Sequence, residues 1–273
     1  PTLSYGDLHS VLMPFVNAFN VPAAPERFGA LARRMGVPAG VPDGEAAAQS
    51  VELMKSWLAG MDAPRRLPWD GCPPEDLDLM AAMGVKAYRF SVAWPRVQPL
   101  GMGDWNEAGF AFYERLLDGL AQRGIAAHLT LNHWDLPQAL QDRGGWANRD
   151  TVDHFVRYAR EVARRWGSKL ASICTHNEPW VMAVLGHEQG VFAPGHRSRA
   201  EALQVAHHLL VSHGRAVSVL REDGVRCELG IVLNLSPIYP ASDQQADLDK
   251  ARLDDGLVAR WYLDPLFRGQ YPD

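Results

Sequence analysis

The chain has 273 residues, of which 47% are hydrophobic and 22% are charged, a balance typical of a soluble globular protein with one large or two ordinary domains. Its formal net charge of −5 argues against a nucleic-acid-binding or anionic-membrane-binding surface, and it has no run of about 18 apolar residues that could cross a bilayer. The three cysteines are widely spaced, which argues against a disulfide framework or a zinc knuckle and is typical of a reducing, cytoplasmic compartment.

The amino-terminal stretch shows only helical periodicity. Apolar residues recur at helical spacing in three stripes: Leu12, Phe15, Val16 and Phe19; Phe28, Leu31 and Met35; and Val51, Met54 and Leu58. The second stripe follows Pro25, which suits a first helical turn, and ends at Gly36. Residues rich in Pro and Arg come next. We therefore predict an all-α segment over residues 1–68 and a linker over residues 69–74.

From residue 75 onward the pattern alternates between strands and helices. The predicted strands are 87–94, 126–132, 172–176 and 228–235, and the predicted helices are 107–123, 149–166 and 199–222. Apolar strands separated by amphipathic helices indicate a parallel sheet covered by helices. The repeat of roughly 40 to 55 residues is that of a (β/α)8 barrel. We expect an α/β fold in which residues 75–273 form a partial TIM barrel, about half of one, holding roughly its strands two to five.

Polar and aromatic residues cluster where these strands end, which is where parallel α/β folds carry their chemistry. They are Trp94 and Arg96; His133, Trp134 and Asp135; Asn177, Glu178 and Pro179; and Asn234. Glu178 lies between an Asn and a rigid Pro, and we predict that its carboxyl group is held in a defined position. Trp94, two strands away, would offer an apolar wall for a sugar ring, and a His and an Asn would bind hydroxyls. Retaining glycosidic cleavage needs such a proton donor and a second carboxylate roughly 5 to 5.5 Å away.

Four consecutive blocks carry a resemblance to a known family: AYRFSVAWPRV, LTLNHWDLPQALQDRGGWANRDTVDHF, ICTHNEPWVMAVLGHEQGVFAPG and WYLDPLFRGQYPD. Residues 74–273 resemble the family 1 glycoside hydrolases, the β-glucosidase family. The resemblance implies that Glu178 is the general acid/base, that Asn177 contacts the sugar 2-hydroxyl, and that His133 and Trp134 line the sugar subsite. It also implies that Arg89 steers the nucleophile and that Asn234 binds substrate. The implied ligand is a β-D-glucoside or short oligosaccharide, with no cofactor and no metal.

Two features of the family have no match in this chain. The resemblance places the family's first strand, with its sugar-binding Gln, before Glu75. It places the nucleophilic Glu on the seventh strand, after Asp273. Because the two carboxyl groups act as a unit, we expect the chain alone to be inactive or nearly so. The resemblance therefore implies that the chain is a truncated member of the family.

Residues 3–70 carry a different resemblance, in the run GDLHSVLMPFVNAFNVPAAPERFGALARRMGV followed by APRRL. They resemble the carboxyl-terminal helical domain of iron-dependent alcohol dehydrogenases, particularly the maleylacetate reductases. The last metal-binding His of that family falls at Tyr5, so the resemblance implies no dehydrogenase activity. Two unrelated fragments joined near residues 72–74 indicate a chimeric gene.

Several plainer interpretations stay open. Glu178 could cap the helix that follows it, and His133 could be a core histidine bonded to backbone. His207, His208 and His213 lack the four-residue spacing of a zinc-binding pair and are expected to be packing residues. The alternatives to a glycosidase are an inactive half-barrel that self-associates through open sheet edges and binds sugar weakly, and a metal-dependent oxidoreductase.

Overall fold

The computed structural model describes residues 21–59 and 74–272. The chain divides into two compact units, Pro1–Asp70 and Gly71–Asp273. The predicted helical stripe at residues 12–19, the linker residues 69–73 and Cys72 lie outside the described residues.

The first unit is helical where it is described. A short 3-10 turn, Val21–Ala23, precedes helices α1 (Pro25–Arg34) and α2 (Asp43–Ala59). Helix α1 has Pro25 in its first turn, as predicted, and the chain leaves it through Gly36 at φ 110°. Between the two helices Ala32, Val37 and Ala46 form a small apolar cluster. Both predicted helices of this stretch are confirmed.

The second unit alternates helices with four strands. Its elements are α3 (Pro74–Ala82), β1 (Ala87–Ser91), α4 (Trp94–Val97), α5 (Glu107–Gln122), β2 (Ala126–Asn132), α6 (Gln138–Gln141), α7 (Asp150–Trp166), β3 (Ser172–Asn177), a π-helix (Val181–Glu188), α8 (Arg199–Glu222), β4 (Glu228–Val232), α9 (Gln245–Asp255), a second π-helix (Gly256–Arg260) and α10 (Trp261–Phe267). Short 3-10 turns lie at Gly145–Ala147 and Gly167–Lys169.

The four strands form one parallel sheet in the order β1-β2-β3-β4. Each pair is joined by a helical crossover, the connection that parallel neighbours require. Every strand therefore ends at the same edge of the sheet. The α/β class and the parallel sheet agree with the prediction from sequence.

Apolar faces of the crossover helices explain why the sheet is covered. Helix α7 buries Phe155, Tyr158, Val162 and Trp166 against the sheet, and α5 buries Phe110, Leu117 and Leu120. Full burial of one such side chain contributes about 1.5–3 kcal/mol. The core therefore lies between the sheet and its helices and fixes where the strand ends point.

Two predicted strands are longer than the observed ones. β1 ends at Ser91 rather than residue 94, because Pro95 in a first helical turn lets α4 begin at Trp94. β4 ends at Val232 rather than residue 235. Helix α9 was not predicted. In the described part of the chain, no helix is both long and apolar enough to cross a bilayer.

Candidate active site

The end of β3 positions the candidate acid. Glu178 is the residue after Asn177, the last residue of β3, and its side chain is half-buried. Its backbone N–H donates to the Val232 carbonyl at 2.8 Å, and its carbonyl accepts from the Val181 N–H at 2.9 Å. The backbone of Glu178 is thus fixed to the neighbouring strand on one side and to the π-helix on the other.

Two non-glycine residues at this edge adopt left-handed backbone conformations. Glu178 has φ 48° and Trp134, on the loop after β2, has φ 75°. Each costs of the order of 1–3 kcal/mol and persists only where surrounding contacts enforce it. Such residues concentrate at functional sites, and here both turn large side chains out of the sheet edge.

Asn177 joins two of the other predicted site residues, Arg89 and Trp134. Its buried side-chain Oδ1 accepts from the Arg89 guanidinium at 2.6 Å. Its backbone carbonyl accepts from the Trp134 indole Nε1 at 3.0 Å. Arg89 also donates from Nε to the Thr130 hydroxyl at 3.0 Å. Because a guanidinium only donates, it fixes the Asn177 oxygen toward itself and leaves the amide N–H₂ as the outward donor.

The loop after β2 supplies an exposed aromatic surface. His133 and Trp134 are both exposed, and their rings meet edge to face with centroids 5.2 Å apart. Phe192 packs on Trp134 from the other side, at 5.8 Å between centroids. Partial burial and the charge of Arg89 lower the pKa of His133, and Glu178 opposes that shift. His133 is therefore a neutral ring beside Glu178, able to hydrogen-bond a hydroxyl.

Asp135 supports this loop from within. Its carboxylate oxygens accept from the backbone N–H of Trp94 at 3.1 Å and of His133 at 3.4 Å. Its own carbonyl accepts from the Asn132 side chain at 2.6 Å. Burial raises the pKa of Asp135, and these backbone N–H donors oppose the rise. Asp135 is thus a structural carboxylate that holds the His133–Trp134 turn.

His176 links the strand ends to the helix behind them. Its Nδ1 lies 3.3 Å from the Asn132 side-chain oxygen, and its Nε2 lies 2.8 Å from the Ser212 hydroxyl on α8. Its ring stacks on Phe155 at 4.5 Å. Complete burial holds the pKa of His176 well below its usual range. Sequence reasoning named none of Asn132, His176 and Ser212 as site residues, although two of them lie in the strand-end blocks already singled out.

Two residues singled out from the sequence are not brought into the cluster. Trp94 is wholly buried, stacks on Tyr158 at 4.8 Å and donates its indole N–H to Gln98. The expectation that Trp94 forms a sugar-facing wall is wrong, because α4 turns its ring into the core. Asn234 is half-buried and two residues past β4, and within the described residues no hydrogen bond joins it to the other candidates.

A cavity of about 860 Å³ lies elsewhere, bordered by the segments that precede β3 and β4. Its lining includes Ser168, Leu170, Val225 and the ion pair between Arg160 and Asp223. Those segments lie at the amino ends of the strands, opposite Glu178. In parallel α/β folds that end contributes to stability rather than chemistry, so we place the site at the Glu178 edge.

Comparison with known proteins gives one consistent result. The model of the family described as "Glycosyl hydrolase family 1" matches residues 72–273. "Beta-glucosidase A" of Acetivibrio thermocellus is 47% identical over 199 residues, which cover 73% of this chain and 44% of that protein.

Solved structures agree with the sequence comparison. An AHE enzyme from Alicyclobacillus herbarius superposes with a TM-score of 0.71 at 48% identity, covering 73% of this chain and 45% of that one. A β-glucosidase from Thermotoga maritima in complex with glucoimidazole gives 0.70 at 43% identity, covering 72% and 45%. The chain therefore spans a little under half the length of the relatives it matches.

Proposed function

Because the chain belongs to glycosyl hydrolase family 1, we propose that Glu178 is the general acid/base of a retaining β-glucoside hydrolysis. The observation that supports this most is the position of Glu178. Its backbone is held in a left-handed conformation just past β3, while Asn177 beside it is bonded to both Arg89 and Trp134. A glutamate whose backbone is held at the strand-end edge presents its carboxyl group from a defined position, which suits proton transfer.

In the proposed reaction the protonated Glu178 donates its proton to the glycosidic oxygen as the bond to the anomeric carbon breaks. A second carboxylate attacks that carbon and forms a glycosyl ester. The ionised Glu178 then takes a proton from the water molecule that hydrolyses this ester. We propose that the Asn177 amide donates to the 2-hydroxyl, and that His133, Trp134 and Asn234 contact the sugar. A β-D-glucoside is the proposed substrate, since two of the three named relatives are β-glucosidases and one of these was solved in complex with glucoimidazole.

We further propose that the attacking carboxylate does not come from residues 74–272. Asp135, the carboxylate that follows β2, is engaged by the backbone N–H groups of Trp94 and His133. Arg89, the proposed steering residue for the nucleophile, donates to an amide and a hydroxyl. The chain then supplies the acid/base half of a site, on a sheet that forms part of a (β/α)8 barrel.

The role of Glu178 is best tested in a complete barrel. Residues 72–273 would replace the matching segment of the Thermotoga maritima β-glucosidase, and hydrolysis of p-nitrophenyl β-D-glucoside would be measured. Loss of a general acid/base lowers rates by about 10²–10⁴-fold. We expect that loss in the Glu178→Gln hybrid, together with loss of one limb of the pH profile. The matched control, Glu188→Gln, should retain activity. A Glu178→Gln hybrid as active as its parent would refute the assignment.

A second candidate is a self-associating sugar-binding module. In the described sheet β1 and β4 each have one neighbour, and both strands are only partly buried. Unpaired strand edges favour pairing with another copy. Size-exclusion chromatography with light scattering would support this candidate if the chain eluted as a dimer, and a monomer at high concentration would dismiss it.

We also propose that residues 3–70 have a different origin from the rest of the chain. The family match begins at residue 72, and the described part of the first unit is helical, which suits the suggested alcohol-dehydrogenase origin. Sequencing single DNA molecules across codons 68–78 would test whether the junction is present in the source DNA. A continuous reading frame across it would show a genuine fusion, and its absence would show an artefact.

We also propose a cytoplasmic location, which the free thiols of Cys174 and Cys227 suit.

A further inference from the structure

A cluster of side chains of the types that ligate metals lies outside the proposed active site. It consists of His187 at the end of the π-helix, His196 on the loop after it, and Glu201 in the first turn of α8. One potential ligand atom from each residue lies within 4.8 Å of the others. These residues carry no recognisable signal in the sequence, because their spacings of nine and five match no familiar zinc motif.

His187 is prepared to act as a ligand. It is only 3% exposed, and its Nδ1 lies 2.9 Å from the Met182 carbonyl. A carbonyl only accepts, so Nδ1 carries the proton and Nε2 carries a lone pair. Metal-binding histidines show this arrangement, with the far ring N–H bonded to a carbonyl or carboxylate.

The lone pair of His187 has no hydrogen-bond partner. Nε2 is buried, and no described residue hydrogen-bonds to it, which is costly for a polar atom. The nearest acidic oxygen, Glu201 Oε1, is 3.9 Å away, and it accepts a hydrogen bond from His196 Nδ1 at 2.7 Å. A bound ion would replace the proton of that hydrogen bond. Nε2 thus points toward an oxygen and a second imidazole without bonding to either.

These separations suit a small ion. A tetrahedral zinc with bonds of about 2.0–2.1 Å spaces its ligand atoms about 3.4 Å apart. The observed separations of 2.7 and 3.9 Å fall on either side of that value. Rotation of the His196 side chain, which is 46% exposed, would lengthen the first separation, and rotation of the Glu201 side chain, which is 27% exposed, would shorten the second. Two imidazoles and one carboxylate form a ligand set that zinc uses, with a fourth position left for water.

We propose that His187, His196 and Glu201 bind a divalent transition-metal ion of the Zn²⁺ class. The ion would tie the π-helix, the following loop and the start of α8 together. The backbone already joins these elements, since His196 N–H donates to the Gly186 carbonyl at 3.0 Å and Ser198 N–H donates to the His187 carbonyl at 2.7 Å. The same loop carries Phe192, which packs on Trp134, so the ion would steady one wall of the proposed sugar site.

The test is metal binding by the full 273-residue chain, prepared without a histidine tag. Calorimetric titration with Zn²⁺ should show one site that His196→Ala and Glu201→Gln each weaken at least about tenfold. His154→Ala, which removes a partly buried histidine outside the cluster, is the matched control and should bind like the parent chain. Circular dichroism would confirm that each variant is folded.

Cobalt substitution gives a readout that needs no variant. Co²⁺ at this site should give the intense visible absorption of four-coordinate cobalt, which excess Zn²⁺ abolishes. The proposal is overturned if the parent chain gives only the weak spectrum of octahedral cobalt, or if it binds Zn²⁺ no more tightly than His196→Ala. Neither measurement depends on hydrolysis, so this result is independent of the proposed function.

Discussion

The inner strands β2 and β3 hold their polar end residues differently from the outer strands β1 and β4 of the described sheet. Asn132, His176 and Asn177 end the inner strands, and all three are at most 3% exposed and hydrogen-bonded through their side chains. On the outer strands, Arg89 is exposed and Asn234 lies two residues past β4. Among the described residues, the side-chain bonds that join Arg89 to the site both go to inner-strand residues.

This difference indicates where the geometry of the site originates. The inner pair positions Asn177 and Trp134, and burial makes that positioning rigid. The outer strand β4 contributes a backbone bond, from the Glu178 N–H to the Val232 carbonyl, rather than a buried polar side chain. Substitutions on the inner pair should therefore cost more than the same substitutions on the outer strands.

The largest expected difference in unfolding free energy is between alanine substitutions at two leucines of the sheet. Leu129 on β2 is fully buried, whereas Leu229 on β4 is partly buried. We expect Leu129→Ala to lower the free energy of unfolding by about 2–5 kcal/mol. Leu229→Ala should cost about 1 kcal/mol, since most of its cavity opens to solvent. Urea unfolding followed by circular dichroism measures both, and equal losses would contradict the contrast.

The next largest expected effect is a dependence of the unfolding free energy on pH. His213 on α8 lies 2.8 Å from Thr175 of β3, and burial, with a smaller effect of Arg221, lowers its pKa from 6.5 to about 4. The unfolded chain therefore takes up this proton near pH 6.5 and the folded chain only near pH 4. Stability from this group is complete above pH 6.5 and is lost as the pH falls toward 4, by up to about 3 kcal/mol.

The buried His176 also has a lowered pKa, so it adds to the same pH dependence. The contribution of His213 is therefore measured by comparing variants. His213→Gln should flatten the fall in unfolding free energy between pH 7 and pH 4. His154→Gln, on α7, should leave that fall as it is in the parent chain. If the His213 and His154 variants show the same pH dependence, His213 is not the group responsible.

The smallest expected difference in unfolding free energy is between substitutions at two asparagines. Asn177→Ala removes the acceptor for Arg89 at a buried position, and we expect a loss of about 1–3 kcal/mol in unfolding free energy. Asn234→Ala should change it by about 0.5 kcal/mol or less. Thermal and urea unfolding of the two variants would test this. A costlier Asn234 substitution would mean that the outer strand helps to build the site.

The inner strands could also be predicted more accurately from the sequence. β2 matches its prediction, and β3 differs by one residue, because polar residues directly after the apolar part of each strand mark where it ends. β1 and β4 are shorter than predicted, since apolar residues beyond a strand end look the same whether they extend the strand or turn into the core. Trp94 shows this directly. Helix α9 has no buried residue, so apolar periodicity gave no signal for it.

The candidate site could be predicted in outline. Its residue types and their positions at strand ends pointed to Glu178, Asn177, His133 and Trp134. The left-handed backbone at Trp134 and Glu178 could not be foreseen, because neither residue favours it and only tertiary contacts impose it. The supporting bonds of Asp135 and His176 depend on which side chains face one another across the sheet, and periodicity does not report that.

Turnover of p-nitrophenyl β-D-glucoside by the folded 273-residue chain tests most directly whether Glu178 stands without an opposing carboxylate. Measured beside the Thermotoga maritima β-glucosidase, kcat/KM should be lower by at least about 10⁴-fold, because the two carboxyl groups act as a unit. The Glu178→Gln variant should not differ from the parent chain. A rate within tenfold of that relative, abolished by Glu178→Gln, would contradict the account.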